Sequence, residues 1–107
     1  MTDAGPQLIS SAANPLLKDL KRLAHDPAAY RKQGRVWLEG DHLCRAALGR
    51  GVRPSIAIFT ESVWGEQRHV WPLEGVRTVL LPDVLYAPLS GLESPGRMGF
   101  VVDLPAF

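Results

Sequence analysis

Ile9-Ser10-Ser11-Ala12-Ala13-Asn14-Pro15-Leu16-Leu17-Lys18 is the stretch on which the reading of this chain turns. Asn14 has a side chain that accepts from the free N–H groups of a helix start. Pro15 fits the first helical position, where no N–H is needed. From there Leu16, Leu17, Leu20, Leu23 and Ala24 recur at helical spacing and form one apolar stripe. Lys18, Lys21, Arg22 and His25 recur at i, i+3, i+4 and i+7, so at about 100° per residue they lie opposite the leucines. The opening helix is thus apolar on one side and basic on the other. Asp26-Pro27 ends it, and residues 28–33 form a second short helix closed by Gly34.

Working outward, Arg35-Val36-Trp37-Leu38-Glu39 reads as a strand, and Gly40-Asp41 turns the chain into a helix that stops at Gly51. Ser55-Ile56-Ala57-Ile58-Phe59-Thr60 is a β-branched and aromatic run typical of a buried strand. Residues 61–74 suggest an irregular helix packing through Trp64 and Trp71. Arg77 to Leu81 is a third strand, residues 82–89 a short helix, and Met98 to Leu104 the last strand after a Gly/Pro-rich loop. Alternating short strands and helices predict α/β layering, with a small, mostly parallel sheet between helices. The pattern predicts a flexible lead over residues 1–12, a domain over 13–104 and the start of a linker at 105–107.

A chain of 107 residues with 46% hydrophobic and 21% charged residues is one globular domain, not a disordered tail. No apolar run approaches the ~20 residues of a membrane span, and Met1 to Pro6 lacks the pattern of a signal peptide. Cys44 stands alone, which agrees with a reducing, cytoplasmic setting. The net charge of +1 hides an asymmetry: residues 1–53 carry nine Lys/Arg against five Asp/Glu, residues 54–107 three against six. A basic front half suits a polyanionic partner.

No active site is legible. His25, His42 and His69 have no ligand spacing with Cys44 or the carboxylates, so no zinc site is expected. Gly49-Arg50-Gly51 reads as a helix stop, not a phosphate loop, and no Ser or Cys sits in a nucleophile-elbow pattern.

The order of these pieces resembles the front end of the SpoU/TrmH-type RNA 2′-O-ribose methyltransferases. The matching residues are Ile9, Ser11, Asn14, Lys18, Leu23, Arg31, Glu39, Gly40, Leu43, Ala47 and Gly51. The loop from Leu92 to Val102 falls where that family has a Thr/Ser-x-x-Gln-Gly-type turn, with Met98 where Gln is common. The resemblance implies a three-layer α/β/α sandwich of L30e-like fold serving as an RNA substrate-binding domain. It implies ribosomal or transfer RNA as partner, no membrane, and a homodimer formed through the parent's catalytic domain. It also implies a separate knotted domain that binds S-adenosylmethionine and transfers the methyl group. This chain itself would then hold no cofactor and no catalytic residue.

The candidate site is electrostatic. Lys18, Lys21 and Arg22, with Arg31, Lys32 and Arg35 just after, are positioned to line one surface and meet phosphates. Arg31 and Arg35 also suit stacking on an unpaired base. Glu39 has two readings: it pins the strand exit by accepting internal hydrogen bonds, or it offers an acceptor to a base edge or ribose hydroxyl. Arg97, in the late loop, is a further RNA-contact candidate. Asn14 reads as a cap, and Trp37, Trp64 and Trp71 as core rather than base-stacking platforms. Two alternatives stand beside this reading: a dimerisation or protein-interaction module using Trp64, Val70 and Trp71, and a free-standing L30e-type RNA binder.

Overall fold

A computed structural model describes residues 5–90, 92 and 96–105. The chain runs β1 (Gln7–Leu8), α1 (Pro15–His25), α2 (Ala29–Gln33), β2 (Arg35–Glu39), α3 (Asp41–Gly49), β3 (Ile56–Thr60), α4 (Glu61–Gln67), a 3-10 turn (Arg68–Val70), β4 (Arg77–Leu81), α5 (Asp83–Leu89) and β5 (Met98–Asp103). Asn14 does cap α1, its side chain accepting from the Leu16 N–H at 2.9 Å, with Pro15 in the first turn.

The strands form one sheet in the order β1-β4-β3-β5-β2. β1, β4 and β3 are parallel neighbours, whereas β5 runs antiparallel to both β3 and β2. Four strands therefore point one way and β5 alone the other. The expected flexible lead gives way at Gln7 to a strand: Gln7 and Leu8 pair with Val79 and Leu80, and Ile9 is buried. Residues 1–4 and 106–107, parts of the expected lead and linker, lie outside the described residues.

Period-two alternation divides the central strands between two cores. Ile56 and Ile58 of β3, Val79 and Leu81 of β4 and Val101 of β5 face Leu17 and Leu20 of α1 and Tyr86 and Leu89 of α5. Ala57 and Phe59 of β3 and Met98 and Phe100 of β5 face Cys44 of α3, Val63 of α4, Trp71 and Leu73. Helices thus cover both faces of the sheet, the three-layer arrangement expected. Met98, at the position where Gln was noted as common, is an ordinary core side chain, only 1% exposed. Trp37 was expected to be buried; it is half-buried instead, because β2 is an edge strand with a neighbour on one side only. Its indole lies over Gly99, and that packing depends on Gly99 having no side chain. No described helix is long and apolar enough to cross a membrane.

Two buried groups make the fold sensitive to alkali. Burial pushes the Cys44 thiol from its ordinary 9.0 up to about 12. Burial, with the Glu39 carboxylate nearby, drives the Tyr86 hydroxyl far above its ordinary 10.0, and that hydroxyl donates to the Met98 carbonyl at 3.0 Å. Both values are raised in the fold, so the stability they contribute is complete below the unfolded values of 9.0 and 10.0 and is lost as pH rises beyond them. Unfolding free energy is expected to fall above pH 9 by about 1.4 kcal/mol per pH unit per group. Urea titrations across this range check it, with Cys44→Ala flattening the first part of the decline. A wild-type curve level to pH 10.5 would contradict the assignment.

Candidate nucleic-acid interface

On α1, the buried positions are Leu17 and Leu20, and Lys18, Lys21, Arg22 and His25 are exposed. The helical period accounts for this directly, since at about 100° per residue the basic positions fall on the side away from the leucine stripe. Lys18, Lys21, Arg22, His25 and Asp26 line one shallow depression of about 380 Å³. Lys18, Lys21 and Arg22 form no ion pair with a described residue, because the described ion pairs are Arg35–Asp19 and Arg45–Asp41. Three cations with unspent charge therefore share one open surface.

The remaining basic candidates differ from these three. Arg31 and Lys32 are exposed on α2. Arg31 folds onto its neighbour: its guanidinium carbon is 5.5 Å from the Tyr30 ring centroid, and its Nε donates to the Tyr30 hydroxyl at 3.1 Å. Arg35 is engaged within the protein, 3.6 Å from the Asp19 carboxylate and donating through Nε to Gln33 at 3.0 Å. Gln33 in turn donates to the Asp19 carbonyl at 3.0 Å. The Asp19–Gln33–Arg35 set fastens α1 to the start of β2, so part of the fork on Arg35 is already occupied.

Glu39 sits at the end of β2 and accepts internally. One carboxylate oxygen takes the Ser90 hydroxyl at 2.6 Å and the Gly96 N–H at 3.0 Å; the other lies 3.4 Å from the Trp37 indole nitrogen. Of its two readings, the geometry matches the strand-exit pin. Ser90 escaped the sequence reading because a serine after a short helix carries no periodic signal, and its partner lies 51 residues earlier.

Arg97 lines a different depression, of about 250 Å³, with Thr60, Asp83, Tyr86 and Ala87. Of the loop segment Ser94 to Arg97, Ser94 and Pro95 lie outside the described residues. Trp37 and Trp64 are half-buried, and Trp71 is buried. Trp71 is 6% exposed, and Trp64 and Trp71 pack on Phe59 with ring centroids 5.1 and 5.8 Å apart.

Solved structures share this α/β/α arrangement. An RNA 2′-O-ribose methyltransferase structure superimposes with a TM-score of 0.70 at 23% identity, covering 92% of this chain and 38% of that one. An rRNA methyltransferase from Sinorhizobium meliloti gives 0.70 at 14% identity, over 94% of this chain and 38% of its own. The SpoU methyltransferase AviRb from Streptomyces viridochromogenes gives 0.65 at 15%, over 87% and 34%. At these identities the likeness is one of fold. Sequence adds kinship: an uncharacterised tRNA/rRNA methyltransferase of Synechocystis is 39% identical over 91 residues, 81% of this chain and 32% of that protein. No protein-family model matches the sequence. The chain is thus similar in sequence to a tRNA/rRNA methyltransferase and in fold to RNA and SpoU methyltransferases, and it spans about a third of the curated relative it matches.

Proposed function

We propose that this domain is the RNA-recognition part of a SpoU-like ribose methyltransferase acting on ribosomal or transfer RNA. The observation that carries the reading is the exposed trio Lys18, Lys21 and Arg22 around one depression, unpaired among the described residues. Kinship with a tRNA/rRNA methyltransferase supports RNA as the polyanion that meets it. The fold is read as L30e-like and the setting as cytoplasmic, where such RNAs are.

Methyl transfer from S-adenosylmethionine falls, in this reading, to the portion of the relatives that the chain does not span. Glu39, the carboxylate held at a strand exit, spends its oxygens within the domain, on Ser90, Gly96 and Trp37. The work is then divided. A basic surface holds a structured RNA, and a tethered catalytic domain acts at an effective concentration set by the linker.

An exposed apolar strip of Trp64, Val70 and Trp71 would support the dimerisation reading. Val70 is exposed, but Trp71 is buried and Trp64 half-buried, so the strip is broken.

The test is titration of the full chain with a labelled RNA hairpin across a salt series. Weak binding whose logarithm falls linearly with that of salt is expected. Absence of binding at low salt overturns the reading.

A further inference from the structure

Arg97 holds a backbone conformation that L-residues avoid. Its φ is 62°, in the left-handed region, where it is the one non-glycine among the described residues. Its neighbours impose this. On one side the Gly96 N–H donates to Glu39 at 3.0 Å; on the other the Arg97 carbonyl accepts from the Thr60 N–H at 3.0 Å. There is no slack between these anchors. A Cβ on Gly96 would lie 2.9 Å from the Gly40 Cα and 3.3 Å from the Glu39 Cγ. Glu39 takes the Ser90 hydroxyl with the same oxygen that takes Gly96, so one carboxylate ties together the end of α5 and the approach to β5.

Glycine would hold position 97 without strain, yet the residue there is an arginine. Its side chain is exposed and makes no hydrogen bond or ion pair with a described residue. The nearby Asp83 carboxylate is already engaged, accepting from the Ser62 hydroxyl at 2.6 Å and N–H at 3.3 Å. Arg97 also stands where β3 and β4 end, and open α/β sheets bind ligands beyond the carboxyl ends of their strands. A strained, unpaired guanidinium at that edge is equipped to fork onto a phosphate.

We propose that Arg97 is a second phosphate contact for the RNA, separate from the α1 trio, and that Glu39 is its positioning residue. This rests on the RNA-recognition reading above. Glu39 acts by holding Gly96, and hence the angle at which Arg97 leaves the domain; it does not touch the RNA.

The test compares wild type, Arg97→Gly, Arg97→Lys, Glu39→Ala and Lys18/Lys21/Arg22→Ala as full chains. Binding of a labelled RNA hairpin is followed by anisotropy over a salt series, and each variant is melted. Arg97→Gly should melt no lower than wild type, because strain is relieved, yet bind about fivefold to tenfold more weakly with a salt slope shallower by about one. Arg97→Lys should keep the slope. Glu39→Ala should weaken binding although it removes a negative charge, a change that simple electrostatics would make favourable for an anion. Arg97→Gly binding like wild type, while the α1 variant loses affinity, sinks this proposal alone; wild type that binds no RNA sinks the RNA reading itself. Tighter binding by Glu39→Ala removes the positioning role. If Glu39→Ala does not fold, Arg97→Gly decides the matter.

Discussion

Gly99→Ala is expected to lower the unfolding free energy by about 3 kcal/mol, the upper range for forcing atoms into a packed core. The added Cβ would lie 2.4 Å from one Trp37 ring carbon and 2.6 Å from another, and 2.6 Å from the Leu38 carbonyl oxygen. Neither obstacle is the loose end of a flexible chain. The Leu38 oxygen belongs to the β2–β5 ladder, where Leu38 faces Phe100 and Glu39 faces Gly99. The indole packs against Tyr86, with ring centroids 6.5 Å apart, and reaches Glu39 through its nitrogen. Relief therefore requires β2 to move away from β5 or the indole to leave its place. Urea denaturation should show the midpoint falling by ~1–2 M with little change in slope. Adding Trp37→Leu should recover part of the loss but not all, since the carbonyl clash remains. A Gly99→Ala protein within 0.5 kcal/mol of wild type would show that the edge strand is held more loosely than its packing implies.

The same edge shows what was legible in the sequence and what was not. Local signals carried α1, because a cap, a proline and a leucine stripe all lie within a dozen residues. They carried β3, since Ile56 to Phe59 is apolar on both faces and the strand is buried throughout. They missed β1: Gln7 and Leu8 become a strand only by docking on Val79 and Leu80, some 70 residues later. Direction was equally silent, as nothing in Met98 to Asp103 marks that strand as the reversed one. At the site, helical spacing sufficed to gather Lys18, Lys21 and Arg22. It did not reveal that Arg35 would turn to Asp19, because that pairing depends on how α1 crosses β2. Glu39-Gly40 was visible as a strand exit, but its purpose depends on Gly96, 57 residues on.

That distinction between spent and unspent charge makes a sharp prediction for the basic surface. Replacing Lys18, Lys21 and Arg22 together with alanine should reduce affinity for an RNA hairpin about 100-fold at low salt and flatten the salt slope by ~2–3. The helix should survive, because alanine is the strongest helix former and all three positions are exposed. Arg35→Ala should behave differently, although arginine and lysine look alike in a count of charges. Its ion pair with Asp19 is partly solvent-screened, with side-chain exposures of 20% and 46%, so its loss should cost at most about 1 kcal/mol of stability. Its effect on the salt slope should be smaller than that of any single substitution in the trio, because a cation facing a carboxylate releases few counterions when RNA binds. Equal effects for Arg35→Ala and the trio would mean that long-range net charge, not a contact surface on α1, governs association. A triple variant that retained the wild-type slope would move the RNA off this helix altogether, to the edge where Arg97 stands.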